Sequence, residues 1–302
     1  MSIRDKVLRE QANAAVRQLS DQSYLVDFGP VTLIAKAICG DKPLMNLDVF
    51  LYKTIYEQLE QTTRFLPLLN NTDCYDIEKR AVYDAIPRDI VPGRMVNAVQ
   101  NSADCQLTPM AAVAGSMSDY LADLLMDMGA TKVFVNNGGD IALRLAPGEF
   151  ITAAILHDMH HDGRRSILRL TSEDGIGGIA TSGVGGRSFT LGIASGVTIL
   201  SANCATADAL ATSLANKSYL PLPGVERRFA SEIDPTSDIG NLQVVTSVPL
   251  LTNEEAKRSV DQVIVAATPF IEQGYMQGIS IAVQEVIELH PYDFFSTHLV
   301  EA

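Results

Sequence analysis

Apolar residues along this chain recur at helical spacing, at alternate positions and in short unbroken runs, and each pattern predicts a different element. Val7, Leu8, Ala12, Ala15, Val16 and Leu19 share one face of an amphipathic helix over 3–19. β-forming runs at 24–28 and 31–35 flank Gly29-Pro30 and predict a hairpin. A second helical pattern covers 43–64, whereas 66–92, with Pro67, Asn70, Asn71, Pro87 and Pro92, predicts a long connection with the reach to cross a cleft. Thr108 as N-cap, Pro109 at the first helical position and Gly129 as stop bound a helix over 109–128, with Leu121, Leu124, Leu125 and Met128 toward a core. Strand patterns follow at 133–135 and 141–143 around Asn136-Asn137-Gly138-Gly139-Asp140, then at 150–156 and 166–170, and again at 197–200. Helical patterns close the series at 204–216 and, through Ala256, Val260, Val263, Ile264 and Ala267, at 253–273. Together they predict an α+β (mixed α/β) fold, one sheet packed by the helices at 109–128 and 204–216, whose small-residue faces converge on one cleft.

Chemistry concentrates in that middle part. A helix over 204–216 carries Asp208 and Thr212 one turn apart, so a carboxylate and a hydroxyl point at one spot. Ala205, Ala207, Ala209 and Ala211 let the helix lie close to a ligand while it offers two oxygens to a hard cation such as magnesium. An Ala-rich helix packed in a core, with Asp208 capping or solvated, fits the same residues. Gly138 and Gly139 admit positive φ and present consecutive amides as an anion nest, with Asp140 at its edge for a metal or a ribose hydroxyl; an ordinary hairpin turn fits equally. The stretch 177–189 reads as a Gly-rich loop of amides and hydroxyls, including Ser182, Gly183, Gly185, Gly186 and Ser188. Within it Arg187 adds a planar donor fork matched to phosphate or carboxylate, so Arg187 with the amides of Gly183, Gly185 and Gly186 is expected to contact an anion; a flexible surface loop is the alternative. The turn His157-Asp158-Met159-His160-His161-Asp162-Gly163-Arg164-Arg165 has metal-ligand types, yet adjacent His160 and His161 cannot both face one site on a strand, which favours a solvated turn.

Composition narrows the partners. With 302 residues and 47% hydrophobic positions the chain buries a sizeable core. No run reaches the roughly 18 apolar residues of a membrane span, and the start Met-Ser-Ile-Arg-Asp-Lys lacks an apolar signal core, so a cytoplasmic protein away from membranes is expected. Cys39, Cys74, Cys105 and Cys204 are far apart and predict neither a disulfide framework nor a zinc ribbon, but reduced, mostly buried thiols. A net charge of −13 argues against nucleic acid and makes an anionic substrate costly to approach unless a metal, Arg187 or helix N-termini compensate locally.

Four segments in this order carry a resemblance: Thr-Pro-Met-Ala-Ala-Val-Ala-Gly at 108–115, Asn-Asn-Gly-Gly-Asp-Ile at 136–141, Thr-Ser-Gly-Val-Gly-Gly-Arg-Ser at 181–188 and Ala-Asp-Ala-Leu-Ala-Thr at 207–212. They resemble an uncharacterised bacterial and archaeal family of the ApbE-like superfamily, over roughly residues 90–220. The superfamily's named members are FAD:protein FMN transferases, which cleave FAD with magnesium and attach FMN to a Thr or Ser of a target protein. The resemblance implies a single ApbE-like domain over 1–302, with terminal additions around the motif block. It implies magnesium at Asp208 and Thr212 with a backbone oxygen near Met117, and FAD or FMN beside Asn137, Gly138, Gly139, Asp140, Ser182, Gly183, Gly185 and Gly186. Asp208, Arg187 and Ser188 would carry the chemistry. Two departures stand out: Ala114 occupies the place of the transferases' Lys, and nothing between Ser188 and Ala207 resembles their His-Ile-Ile-Asp-Pro segment. The expected partner is therefore a small anionic ligand, handled by a magnesium-dependent transferase- or hydrolase-like enzyme. The alternatives are a cleft enzyme for a small cyclic or carboxylate metabolite without flavin, and a non-catalytic ligand-binding relative; self-association stays open.

Overall fold

The computed structural model describes residues 3–157, 164–186 and 188–300. Along the chain run α1 (Ile3–Ala15), β1 (Val16–Gln18), β2 (Tyr24–Phe28), β3 (Val31–Cys39), β4 (Lys42–Pro43), α2 (Asp48–Leu69), α3 (Arg80–Asp84) and α4 (Val91–Ser102). Next come α5 (Val113–Asp127), β5 (Lys132–Asn137), β6 (Asp140–Leu145), β7 (Phe150–Leu156), β8 (Arg165–Thr171), β9 (Gly178–Ser182), β10 (Gly196–Ser201) and α6 (Cys204–Asn216). The last elements are β11 (Glu226–Phe229), α7 (Ala230–Ile233), β12 (Gln243–Ser247), α8 (Asn253–Glu272), β13 (Gly278–Val283), β14 (Val286–His290) and α9 (Tyr292–His298).

Ten strands form one antiparallel sheet in the order β1-β2-β3-β5-β6-β9-β10-β13-β14, with β4 beside β3. Strand side chains alternate between faces, and adjacent residues of β10 show it: Ile199 joins an apolar cluster with Leu210 and Leu214 of α6 and Val260 of α8, while Leu200 joins Leu168, Leu170 and Phe295 on the other side. Helices α5, α6 and α8 thus cover one face, and the β7–β8 hairpin with α9 covers the other. Both sides of β10 and β13 are buried, which accounts for their unbroken apolar runs. No described helix is long and apolar enough to cross a membrane.

Most predicted elements form, and the departures have physical causes. The first helix ends at Ala15, because Val16 pairs with Val26 and is buried in the sheet; strand pairing overrides the helical pattern there. The helix expected over 43–64 runs from Asp48 to Leu69, and the expected connection 66–92 contains α3 and the start of α4. Pro92 read as a loop marker, but it sits in the first turn of α4, where a missing N–H costs nothing. The expected Gly-rich loop is a strand over its first half: Gly178–Ser182 is β9, in the middle of the sheet. Gly178 serves close approach rather than mobility, since a Cβ there would lie 2.2 Å from the Cys204 nitrogen. Thr108 makes no capping bond, and Pro109–Ala112 form a 3₁₀ turn before α5. Met128, expected in the core, is 47% exposed. Cys74 and Cys204 are buried but Cys39 and Cys105 are exposed, so half of the thiols depart from expectation. Of the expected His-rich turn, residues 158–163 lie outside the described residues, whereas His157 is buried between the hydroxyls of Ser166 and Ser280.

Helix α9 is pinned to the hairpin face by Phe295 and by an ion pair of His298 Nε2 with Asp174 Oδ1 at 3.0 Å. Burial works against the charged ring, but Asp174 and the Phe294 carbonyl outweigh it and hold the His298 pKa above its ordinary value. A raised histidine pKa stabilises fully below the unfolded value and is lost as pH rises through the folded one. Wild-type melting temperature is therefore expected to fall relative to His298→Ala as pH rises from about 6 upward, and parallel pH profiles of the two proteins would exclude the latch.

Candidate functional site

Helices α5 and α6 meet at Gly115. A Cβ on Gly115 would stand 2.4 Å from the Cys204 carbonyl oxygen and 2.8 Å from the Asp208 Cβ, so only glycine lets the helices touch here. That contact brings the Gly115 N–H to Asp208 Oδ2 at 2.9 Å. Asn203 caps α6 by accepting from the Thr206 amide at 2.8 Å, as a cap asparagine should. Asp208 is therefore no cap; it stands one turn inside the helix, and Thr212 follows one turn later.

Both side chains face a cleft with two lobes. The first, about 350 Å³, has aliphatic walls from Val31, Leu59, Leu66, Met110 and Met117. The second, about 420 Å³, is mixed: Gln106, Thr108, Asn216, Thr236 and Asp238 share it with Leu107, Phe189, Leu191 and Leu242. Asp140, Ser188, Asp208 and Thr212 line both and form the waist between them. The Asp208 carboxyl is held well above the usual carboxylate range, first by burial and then by repulsion from Asp140; the Gly115 amide opposes this only in part. Among the described residues no Lys, Arg or His side chain lines either lobe. Ala114 lines both.

The structure brings together most of the expected site. Met117, Asn137, Gly138, Asp140, Ser182, Gly183, Gly186, Ser188, Asp208 and Thr212 line the first lobe, so Gly138 and Asp208 share one cleft as the pattern predicted. Gly139 and Gly185 are not among its lining residues. Gly138 and Gly139 take positive φ, +72° and +117°, in a hairpin turn with Asn137 paired to Asp140. Because the Gly139 amide donates to Asn136 Oδ1 at 2.8 Å, an anion nest would lack one of its two donors. The Gly186 amide likewise closes on the Gly183 carbonyl at 3.2 Å. Arg187 lies outside the described residues. Met117 is inside α5, where its carbonyl belongs to the helix ladder and keeps only its second lone pair for another donor or cation.

Sequence reading missed the group beneath the waist. Asp119 of α5, only 2% exposed, accepts from the first amides of α6, Cys204 N at 3.0 Å and Ala205 N at 2.8 Å. Arg144 of β6 bonds Asp119 Oδ1 through Nη2 at 2.9 Å and Asp123 Oδ1 through Nε at 2.7 Å, and Arg94 bonds Asp123 Oδ2 at 2.6 Å. The signal was a pair of carboxylates, Asp119 and Asp123, one turn apart on the helix that carries Gly115 and Ala122. The place of α2 in the site was missed too, although the helix itself was expected; its Leu59, Thr62, Thr63 and Leu66 wall the first lobe. In the second lobe the Thr108 hydroxyl donates to Asp238, tying the segment after α7 to the cleft.

A donor set of two carboxylates and a hydroxyl suits a hard divalent cation such as magnesium, which also relieves the Asp140–Asp208 repulsion. Among the described residues there is no group of three or more His, Cys, Asp or Glu side chains arranged for a metal. Any such ion would thus lean on neutral oxygens and on its ligand.

Comparisons with known proteins agree with this architecture. The apo flavinyl transferase ApbE of Pseudomonas stutzeri has the same fold, with a TM-score of 0.50 over 93% of this chain and 97% of that one at 14% identity. The UPF0280 protein of Methanococcoides burtonii is 34% identical over 139 residues, 44% of this chain and 54% of that protein. The UPF0280 protein of Methanothrix thermoacetophila is 31% identical over 164 residues, 53% of this chain and 63% of that protein. The chain thus spans little more than half the length of these curated relatives. The family model AbpE_bact, described as AbpE bacteria, matches residues 16–289, and the chain belongs to that family.

Proposed function

We propose that the cleft binds a flavin nucleotide, or a small anionic ligand of the same kind, together with magnesium, and that the chain acts on it as a transferase- or hydrolase-like enzyme. The supporting observation is the waist: Asp140, Asp208 and Thr212 lie between an aliphatic-walled lobe and a mixed one, and no described basic side chain lines either. A phosphate entering between two carboxylates needs a cation, because repulsion in a half-buried site is weakly screened. Magnesium, when bound, would neutralise phosphate oxygens and stabilise charge developing on them as a P–O bond breaks. Asp208 and Thr212 hold it in this reading, and Asp140 shares the charge. In this reading the aliphatic-walled lobe takes the ring system, and the second lobe takes the other end of a dinucleotide, with Gln106, Asn216 and Thr236 available to its hydroxyls. Ser188, at the waist, donates to a phosphate oxygen, and Arg187 is assigned the same task on its donor chemistry alone.

A reading without flavin is favoured by one feature: no described aromatic side chain lines the aliphatic-walled lobe, so a flavin ring there would pack only on aliphatic groups, Phe189 being in the other lobe. Melting temperatures with FAD, riboflavin and a small dicarboxylate, each with magnesium and with chelator, separate the cases. FAD with magnesium is expected to stabilise, by about 2.7 kcal/mol at a hundred times its dissociation constant, and riboflavin, lacking phosphate, by far less. Stabilisation by the dicarboxylate with magnesium, and none by FAD, would replace the flavin reading with the metabolite one.

A further inference from the structure

The proposed magnesium site asks for more order than its own residues supply. Magnesium demands near-octahedral oxygens at about 2.0–2.1 Å, so the separation of Asp208 and Asp140 matters on a scale well below the ~1.5 Å rise of one helical residue. These carboxylates sit on different elements, α6 and β6, and nothing in either element alone fixes how far apart they stand. The group beneath the waist supplies the reference. Asp119 grips the Cys204 and Ala205 amides, which precede Asp208 by one turn, and so sets both the height and the rotation of α6 against α5. Arg144 fixes the Asp119 carboxylate and is itself on β6, the strand that begins with Asp140. Three more of its donors go to Asp123, to its own neighbour's carbonyl at Leu143 and to the Gly177 carbonyl just before β9, so the guanidinium is held by four bonds. Both waist carboxylates are thereby referenced to one ion pair, in which Asp119 is buried and Arg144 partly so.

We propose that Asp119, oriented by Arg144, is a positioning residue for the cleft: it sets the separation of Asp208 and Asp140 and with it the affinity for a divalent cation. The proposal rests on the magnesium reading of the waist, and it assigns no contact between Asp119 and the ion. It also explains why the α6 N-terminus is not itself the anion site, since Asp119 already occupies its first amides.

The test uses Mg²⁺ as probe, alone and again with FAD present, titrated calorimetrically into the full chain at a temperature below melting of every variant. Asp119→Asn keeps the shape but replaces one accepting oxygen with an NH₂ that cannot take an amide hydrogen. It is expected to weaken Mg²⁺ binding by roughly 10-fold to 100-fold, the usual loss when a partner behind a metal ligand is changed. Arg144→Lys keeps the charge and loses the planar fork, and is expected to give a smaller loss in the same direction. It also serves as the deciding variant should Asp119→Asn fail to fold. Lower melting temperatures with wild-type Mg²⁺ affinity in the folded variants would overturn the positioning role and leave an ordinary structural ion pair. A wild-type chain that binds no Mg²⁺, alone or with FAD present, would instead overturn the reading of the waist itself, and the two failures are read from different proteins.

Discussion

Gly115→Ala is expected to be among the most damaging single-methyl changes in this chain. The added Cβ would face the Cys204 carbonyl oxygen at 2.4 Å and the Asp208 Cβ at 2.8 Å, and neither is the flexible end of a long side chain. Relief requires α5 and α6 to separate, which opens the apolar contacts of Met117, Ala205 and Ala209 and stretches the Gly115 N–H bond to Asp208. Overpacking in a close-packed interior costs about 1–3 kcal/mol and occasionally more; with backbone on the opposing side the upper end is expected, read as a fall in denaturation midpoint without change in slope. The same variant should lose its response to magnesium, because the helix that carries Asp208 and Thr212 has moved. Unchanged stability would mean that the two helices are not in contact at this point.

Asp208→Asn is expected to have the opposite effect on stability and the same effect on the metal. Burial and the nearby Asp140 hold the Asp208 carboxyl well above its ordinary range, so its ionised form is disfavoured in the folded chain. For an acid with a raised folded pKa, the folded chain holds the extra proton between the unfolded value, about 3.9, and the folded one. Stability therefore falls as pH rises through that window, and the penalty is absent below it. Asparagine removes the charge and keeps an oxygen for the Gly115 amide, so the variant without magnesium should melt no lower than wild type at neutral pH and should lack this pH dependence. Its magnesium-dependent stabilisation by FAD should vanish, whereas Thr212→Val, which removes only a neutral ligand, should weaken it. An Asp208→Asn protein that is less stable yet responds normally to magnesium would show the carboxylate to be structural.

What the sequence determined by itself was local. The helix at 204–216, the hairpin at 132–145 and the strands on either side of the 157–165 turn follow from short-range periodicity and turn chemistry, and they formed nearly where the pattern put them. Asp208 and Thr212 were legible as a pair because one helical turn places them together whatever lies opposite. What only the tertiary structure decided was what lies opposite. β9 read as a flexible loop because its glycines look mobile in one dimension, and only the packing of Cys204 against Gly178 shows that they are there for lack of a side chain. Val16 left the first helix for a strand because β2 was there to pair with it. The Asp140–Asp208 repulsion, the α2 wall and the Asp119–Arg144 group all join residues far apart in the chain, and no local pattern encodes such a distance. Electrostatic and packing energies depend on separations in space, which periodicity fixes within an element and leaves open between elements.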